Sequence, residues 1–236
     1  MLKTLTQQAQ TILYDESQLQ DDPQHVFNID YWREKSAIIG SATGRGTTWF
    51  LQASNQQLAL RHYYRGGLFG KLIKQYYLFT GLENTRPFKE FRLLKHLTEA
   101  GVNVPTPVAA KVTRFLGCYQ GDLLTARVPN AADMIDILNT DRVTQTHWEM
   151  IGREIQKMHR AQVCHTDLNI KNILLDDKEN VWIIDFDKCQ TRKGEAWKAA
   201  NLARLKRSLD KQQRKGAISY QASDWQALLA GYDQSQ

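Results

Sequence analysis

Residues 165–187 constrain the fold of this chain more than any other stretch. They read His-Thr-Asp-Leu-Asn-Ile-Lys-Asn, then two short apolar runs around the polar turn Asp-Asp-Lys-Glu-Asn, and finally Asp-Phe-Asp. Two apolar runs around a polar turn predict a pair of short strands, here at 173–175 and 181–184. Polar side chains therefore lie at both ends of a strand pair, where loops commonly carry binding and catalytic residues.

Three polar residues of this stretch suit phosphoryl transfer. Asp167 is the candidate catalytic residue, because an acceptor hydroxyl needs a carboxylate to orient it and take its proton. Asn172 and Asp185 are the candidate metal ligands, because Mg²⁺ takes oxygen ligands from the protein and the nucleotide phosphates together. The spacing H-x-D-x-x-x-x-N, with D-F-D starting thirteen residues after the asparagine, predicts a kinase that uses ATP and Mg²⁺.

The rest of the chain predicts strands first and helices later. After a short helix near residue 30, strands are predicted at 37–54 around a glycine turn, 57–64, 109–116 and 119–128. Helices are predicted at 66–80, 86–100, 144–161, 194–214 and 223–230. The apolar stripe of the 144–161 helix comprises Trp148, Ile151, Ile155 and Met158. The first 25 residues give no clear pattern.

This order predicts an α+β fold with two lobes rather than a repeated βαβ arrangement. Residues 1–128 would form an N-terminal lobe with an antiparallel sheet and a helix, and residues 129–236 a small, mainly helical C-terminal lobe. Hydrophobic residues make up 42% of the chain, which is enough for a packed core.

Several segments resemble the protein-kinase superfamily and, more narrowly, the bacterial lipopolysaccharide kinases. The closest resemblance is to members that phosphorylate 3-deoxy-D-manno-octulosonic acid (Kdo). It rests on LALRHYYRGGLFGK at 58–71, FKEFRLL at 88–94, GDLLTARVP at 121–129, HTDLNIKNILLD at 165–176, WIIDFDK at 182–188 and WKAANLARLKRSL at 197–209. These segments are spread over most of the chain, and they imply a protein-kinase-like fold.

The resemblance also implies nucleotide contacts in the N-terminal lobe. The turn at 41–46 corresponds to a glycine-rich loop in which Gly44 and Gly46 approach phosphates, although two glycines in a hairpin are also typical of an ordinary turn. Arg61 stands where a strand lysine would contact phosphates, and Glu90 is its expected ion-pair partner. An exposed strand arginine and a solvated helix glutamate are the alternatives.

The adenine contact is expected at the junction of the two lobes, residues 123–128. Backbone groups there would bind the base, so the expectation concerns the positions of Thr125 and Arg127 more than their side chains.

Departures from the protein kinases argue against a protein acceptor. Thr166 stands where the arginine of HRD would be, Asp187 replaces the glycine of DFG, and no APE motif follows. Only 51 residues follow Asp185, which is too few for a peptide-docking lobe. We therefore expect a small-molecule or glycolipid acceptor. The resemblance implies the 4-hydroxyl of Kdo on a Kdo–lipid A precursor.

Basic residues are expected to contact this anionic acceptor and its membrane. Lys171, Lys188 and Arg192 are close in sequence to the catalytic parts, and the sequence does not choose among them. The net charge is +6, and the basic, partly aromatic stretch at 61–74 suits an anionic membrane surface. The basic helix at 198–215 either does the same or is an ordinary amphipathic helix with a solvated face.

The expected location is the cytoplasmic face of the bacterial inner membrane, as a peripheral protein with no nucleic acid partner. Three cysteines without a CxxC pair suit a reducing compartment, and neither a signal peptide nor a membrane-spanning segment is expected.

Two other functions stay open at this point. The chain has the motifs of a kinase that could equally act on core heptose, an antibiotic or a choline-like alcohol. A non-catalytic kinase-like module or basic membrane adaptor is the third possibility, and the intact Asp167, Asn172 and Asp185 count against it.

Overall fold

The computed structural model of the chain describes residues 1–43, 46–64, 75–139 and 143–234. The chain divides into two compact units, one of Met1–Arg92 with Thr106–Arg127 and one of Leu93–Pro105 with Val128–Gln236. The expected lobes, divided at residue 128, stay a prediction. The two compact units differ from the expected lobes because residues 93–105 belong to the second unit.

The described residues form antiparallel strands and α-helices in an α+β order, which confirms the predicted fold class. The strands are β1 (Leu2–Gln7), β2 (Gln10–Asp15), β3 (Ile38–Thr43), β4 (Thr47–Gln52), β5 (Gln57–His62), β6 (Tyr77–Leu78), β7 (Pro107–Phe115), β8 (Cys118–Ala126), β9 (Ala132–Asp133), β10 (Val163–Cys164), β11 (Ile173–Leu175), β12 (Val181–Ile183) and β13 (Gln190–Thr191). The helices are α1 (Ile29–Glu34), α2 (Arg86–Glu99), α3 (Met134–Leu138), α4 (Gln145–Arg160), α5 (Lys198–Arg214) and α6 (Ala222–Asp233).

The first unit is built on an eight-stranded antiparallel sheet. Seven strands follow the order β1-β2-β7-β8-β5-β4-β3, and β6 pairs with β8 outside this path. Leu58 and Leu60 of β5 point into the core, whereas the residues between and after them are only partly buried, as the alternation of a strand requires. Trp32 of α1 lies in the same core and donates from Nε1 to the carbonyl oxygen of Val26 at 2.8 Å.

The second unit is built around α4. Its predicted apolar stripe of Trp148, Ile151, Ile155 and Met158 is confirmed, because all four side chains are at most 1% exposed. Thr144 caps the helix, accepting from the N–H of His147 while its own N–H donates to the His147 ring. A three-stranded sheet in the order β12-β11-β9 and a β10–β13 pair complete the unit.

Two glycines let α4 and α6 pack unusually closely. A side chain at Gly152 would overlap the carbonyl oxygen of Leu228 and lie 2.7 Å from the backbone nitrogen of Tyr232. A side chain at Gly231 would in turn overlap the backbone of Glu149. Each helix therefore presents its glycine to the other helix's main chain.

Within the first 25 residues, where no pattern was evident, β1 and β2 form an antiparallel hairpin. The predicted helix at 66–80 falls largely on residues 65–74, which lie outside the described residues. Its last part is wrong, because Tyr77 and Leu78 form β6 through backbone pairing with β8. Among the described residues, no helix is both long and apolar enough to cross a membrane.

Candidate active site

The loop between β10 and β11 carries the H-x-D-x-x-x-x-N motif, and a buried histidine organises it. His165 Nε2 donates to the carbonyl oxygen of Ile184 at 3.0 Å, and its Nδ1 accepts from the N–H of Asp167 at 3.2 Å. Burial lowers the pKa of His165, which favours the neutral ring that this pair of bonds requires. His165 therefore shapes the backbone on both sides of Asp167, as expected of a structural residue.

Asp167 lies on the surface of the loop with its side chain 60% exposed. Its carbonyl oxygen accepts from the amides of Asn169 at 2.9 Å and Asn172 at 3.0 Å. Its carboxylate Oδ1 accepts from Nη1 of Arg204 at 3.2 Å. The backbone at Asp167 is therefore held from several sides, and its carboxylate faces outward.

The two candidate metal ligands lie on segments that are bonded to each other. The N–H of Ile184 donates to the carbonyl oxygen of Asn172 at 2.9 Å, and Asp185 is the next residue. Asp185 has a left-handed backbone with a φ of 64°, which asparagine and aspartate tolerate better than most residues. Asp185 lies two residues after the end of β12.

The donor set of these two residues suits magnesium. Asn172 uses its Nδ2 for Asp167, which leaves its amide oxygen as a ligand, and Asp185 supplies a carboxylate. No group of three or more His, Cys, Asp and Glu side chains converges within the described ranges. Mg²⁺ in phosphoryl-transfer sites needs few protein ligands because nucleotide phosphates and water complete its shell, so two oxygen donors fit it.

Helix α5 supports the catalytic loop through one of its faces. Asn201 donates from Nδ2 to the carbonyl oxygen of His165 at 2.7 Å, and Ser208 Oγ accepts from the N–H of Ile170 at 3.2 Å. Arg204 lies between them, three residues after the first and four before the second. Positions i, i+3 and i+7 share one face of a helix, so the three contacts form a row along the loop.

Sequence reasoning missed Arg204. It treated the basic residues of this helix as one group and looked for substrate contacts at Lys171, Lys188 and Arg192. A signal was available, because Asn201 and Ser208 are polar residues next to the buried Leu205 and Leu209. Within the described part of the chain, Arg204 is the cation in contact with the Asp167 carboxylate.

A buried polar chain connects α6 to the same loop. The Tyr232 hydroxyl lies 2.8 Å from Nδ1 of His159, and Nε2 of His159 lies 3.0 Å from Oδ1 of Asn201, whose Nδ2 donates to His165. Since Asn201 Oδ1 can only accept, the His159 proton is on Nε2 and the tyrosine hydroxyl donates to Nδ1. Burial lowers the pKa of His159 to about 4, and the charge of Lys198 acts in the same direction.

In the first unit, the expected ion pair between Arg61 and Glu90 is present. Arg61 Nη2 and Glu90 Oε1 are 2.5 Å apart, and Tyr63 donates its hydroxyl to the other carboxylate oxygen at 2.5 Å. The Glu90 side chain is 4% exposed, so both of its oxygens are satisfied inside the protein. Burial, followed by the charge of Glu90, raises the pKa of Tyr63. The contact of Arg61 with a phosphate stays a prediction.

The other expected nucleotide contacts also stay predictions. Gly44 lies outside the described residues, whereas Gly46 lies against the Tyr64 ring, which a side chain at position 46 would overlap. Thr125 lies in β8 opposite Ala59 of β5. Arg127 donates its backbone N–H to the carbonyl oxygen of Gln57 at 2.9 Å, so that N–H is not available to a nucleotide base.

The three candidate substrate cations are exposed. Lys171 follows Asn169 in the catalytic loop, and Lys188 has a left-handed backbone with a φ of 65°. Arg192 donates its backbone N–H to the carbonyl oxygen of Gln162 at 2.7 Å. Among the described residues, none of these three side chains forms a hydrogen bond or an ion pair with the Asp167 carboxylate. Their roles in substrate binding stay predictions.

Comparisons with known proteins agree with these features. The model of the lipopolysaccharide kinase (Kdo/WaaP) family matches residues 29–232. A 3-deoxy-D-manno-octulosonic acid kinase from Vibrio cholerae serotype O1 is 50% identical over 232 residues, which cover 98% of each chain. A protein of the same name from Photobacterium profundum is 52% identical over 95% of each chain. Another, from Haemophilus influenzae, is 45% identical over 97% of this chain and 98% of its own.

Proposed function

This chain belongs to the lipopolysaccharide kinase (Kdo/WaaP) family, and we propose that it transfers the γ-phosphate of ATP to Kdo on a lipid A precursor. The observation that carries the proposal is the exposed carboxylate of Asp167 on a loop whose backbone is held by His165, Asn169 and Asn172. The names of relatives about half identical to this chain over nearly its whole length support Kdo as the acceptor sugar.

Asp167 would act on the acceptor. Its Oδ1 is engaged by Arg204, so Oδ2 is the oxygen that would accept the proton of the attacking hydroxyl. The hydroxyl oxygen attacks the γ-phosphorus as the bond to the leaving nucleoside diphosphate breaks. No covalent enzyme intermediate is required, because binding the two substrates in line is the main task of such a site.

Asn172 and Asp185 would hold Mg²⁺. The ion, when bound, neutralises charge on the nucleotide phosphates. In the first unit, Arg61, oriented by Glu90, would contact a nucleotide phosphate, as the family resemblance implies.

The test is a comparison of acceptors with the purified full chain, ATP and Mg²⁺. We expect phosphate transfer to a Kdo–lipid A precursor and none to the same lipid A precursor without Kdo. The position of the new phosphate, read by NMR, tests the 4-hydroxyl that we propose from the family resemblance. Transfer to heptose-containing core acceptors alone would support the kinase and reject Kdo, and no transfer to any Kdo acceptor would reject the proposed function.

We further propose that the protein binds the cytoplasmic face of the inner membrane through α5. Five basic residues form the α5 basic stripe: Arg204, Arg207, Lys211, Arg214 and Lys215. At about 100° per residue they occupy an arc of about 100°, and they extend over about 17 Å of helix. All five are exposed.

The four residues of the α5 basic stripe that follow Arg204 carry positive charges that a partner could bind. In the part of the chain that the structure describes, these four side chains make no ion pair and no side-chain hydrogen bond. The nearest acid of the helix, Asp210, is bonded to Lys206 at 3.2 Å and to the Tyr220 hydroxyl at 3.0 Å. A row of available cations that begins beside Asp167 suits an anionic lipid surface from which the acceptor projects.

A further inference from the structure

We propose that Arg204 is a positioning residue for Asp167: it holds Oδ1 of the carboxylate so that Oδ2 faces the acceptor hydroxyl. The proposal rests on the proposed function only in that it takes Asp167 as the proton acceptor. Arg204 lies 37 residues after Asp167 and outside every motif of the sequence that points to catalysis.

The contact is made at one carboxylate oxygen. Arg204 Nη1 donates to Oδ1 at 3.2 Å, and the structure gives Oδ2 no partner among the described residues. A contact at one oxygen favours one orientation of the carboxylate, while the second oxygen keeps its lone pairs. This arrangement suits a group that must accept one proton from one direction.

The α5 backbone at Arg204 is held by contacts of the neighbouring residues of the helix. On one side along α5, Asn201 is bonded to the loop at His165, and on the other side Ser208 is bonded to it at Ile170. Leu205 and Leu209, on the neighbouring face, are fully buried. Since both flanking positions and the apolar face are held, the helix backbone at Arg204 has a defined place relative to the loop.

The catalytic loop offers no substitute for this contact. Its own backbone bonds fix the main chain of Asp167 through His165, Asn169 and Asn172, but none of them reaches the carboxylate. The backbone and the side chain of Asp167 are thus held by different parts of the molecule. Removing Arg204 would release the side chain and leave the loop in place.

A direct role in substrate binding is the competing explanation. The Arg204 side chain is 48% exposed, and a guanidinium has five N–H donors, so some remain available for a phosphate or an acceptor carboxylate. The two roles differ in one respect. A positioning residue acts only through Asp167, whereas a binding residue acts whether Asp167 is present or not.

The experiment is a double-mutant cycle with Arg204→Ala and Asp167→Asn, assayed for phosphate transfer to the Kdo–lipid A precursor. We expect Arg204→Ala to lower kcat by about 10- to 100-fold, with the KM values for ATP and acceptor within about twofold of the wild type. Arg204→Lys should recover part of the loss, because it keeps a donor near Oδ1. In the Asp167→Asn background, Arg204→Ala should have no further effect.

Arg33→Ala is the matched control, because it removes an exposed arginine that is ion-paired with an exposed aspartate, Asp30, and that belongs neither to the catalytic loop nor to the α5 basic stripe. Its kcat should equal that of the wild type. A kcat for Arg204→Ala equal to that of Arg33→Ala would overturn the proposal. So would a further loss of activity in the Asp167→Asn background, or a rise in KM with kcat unchanged, since either result would assign Arg204 to substrate binding.

A second measurement separates this inference from the proposed function. In crystal structures of the wild type and of Arg204→Ala, we expect the Asp167 carboxylate to leave its position in the variant while the backbone of residues 165–172 is unchanged. An unmoved carboxylate would overturn the proposal, whichever acceptor the enzyme uses. If the wild-type enzyme does not phosphorylate Kdo acceptors, the proposed function is rejected. The comparison of the two crystal structures then still decides whether Arg204 positions the Asp167 carboxylate.

Discussion

At the scale of single residues, the second unit uses two histidines as neutral connectors. His159 and His165 each donate from one ring nitrogen and accept at the other, and burial lowers the pKa of both. A protonated ring would have two donors and would lose its acceptor. The connection from α6 to Asn201 therefore requires an uncharged His159 ring, and the bond from the N–H of Asp167 requires an uncharged His165 ring.

This requirement predicts a loss of stability in acid. The pKa of His159 is about 4 in the folded protein and about 6.5 when unfolded, so the unfolded chain binds more protons between these values. The free energy of unfolding should therefore fall as pH decreases through this window, by up to about 3 kcal/mol from this residue. Urea denaturation at a series of pH values measures it.

The control for this prediction is His159→Gln, whose amide can bond both neighbours but does not titrate. The contribution of His165 is the same in both proteins and cancels in their difference. The variant should show the shallower pH dependence. Equal slopes for the two proteins would contradict the role given to His159.

A second prediction at this scale concerns Asp185. Asp185→Asn keeps the side-chain shape and tolerates the left-handed backbone, so the melting temperature should stay within a few degrees of the wild type. It removes a charged ligand of Mg²⁺, so turnover at saturating ATP should fall by about 100-fold or more. Turnover over a range of Mg²⁺ concentrations, together with thermal melting, provides the measurement.

The matched change is Asp177→Asn, in the exposed turn between β11 and β12, where the carboxylate accepts from Asn130. It should leave turnover unaffected. Magnesium-dependent activity that survives in Asp185→Asn at the wild-type level would exclude Asp185 as a ligand.

At the scale of elements, the α4–α6 pair depends on two glycines at positions where alanine would usually favour a helix. Alanine stabilises an exposed helix position by about 1 kcal/mol relative to glycine. At Gly152 and Gly231 the added methyl group would overlap main-chain atoms of the opposite helix, which cannot move aside as a side chain can.

We therefore expect Gly152→Ala and Gly231→Ala each to destabilise the protein, by about 3 kcal/mol. Ala230→Gly is the control, because it changes the neighbouring, exposed residue of α6 and should cost only about 1 kcal/mol. Chemical denaturation of the three variants compares them. A stabilising effect of either glycine replacement would show that the helices are not in main-chain contact.

The same scale shows where sequence could predict structure and where it could not. The α4 stripe was predictable because Trp148, Ile151 and Ile155 follow the helical period. The β1–β2 hairpin was not, because none of the β1 residues is buried and β2 is placed by pairing with the distant β7. Likewise the motif identified Asp167, Asn172 and Asp185, whereas the contact with Arg204 arises only when α5 packs on the loop.

At the scale of the whole molecule, the net charge of +6 is concentrated in part on the α5 basic stripe. Changing Arg207, Lys211, Arg214 and Lys215 to glutamine should weaken binding to vesicles of phosphatidylethanolamine and phosphatidylglycerol by about 100-fold or more, since each cation near an anionic surface contributes about 1 kcal/mol. Vesicle sedimentation at low salt measures this, and binding should disappear at high salt.

The control removes four charges elsewhere that are engaged in ion pairs: Arg33, Lys35, Arg92 and Lys95. It changes the net charge equally and should weaken vesicle binding far less. Equal losses in the two variants would mean that net charge, and not the stripe, attracts the protein to the membrane.

The support of the catalytic loop by α5 has a consequence for the synthesis of the protein. A growing chain contains the complete H-x-D-x-x-x-x-N motif before it contains Arg204, which lies 37 residues after Asp167, or Tyr232, which lies 73 residues after His159. During that interval the motif exists without the helices that hold it. Chains interrupted there, or cut there by a protease, would keep the full motif and lack the activity, so the ability to transfer phosphate is acquired late in translation.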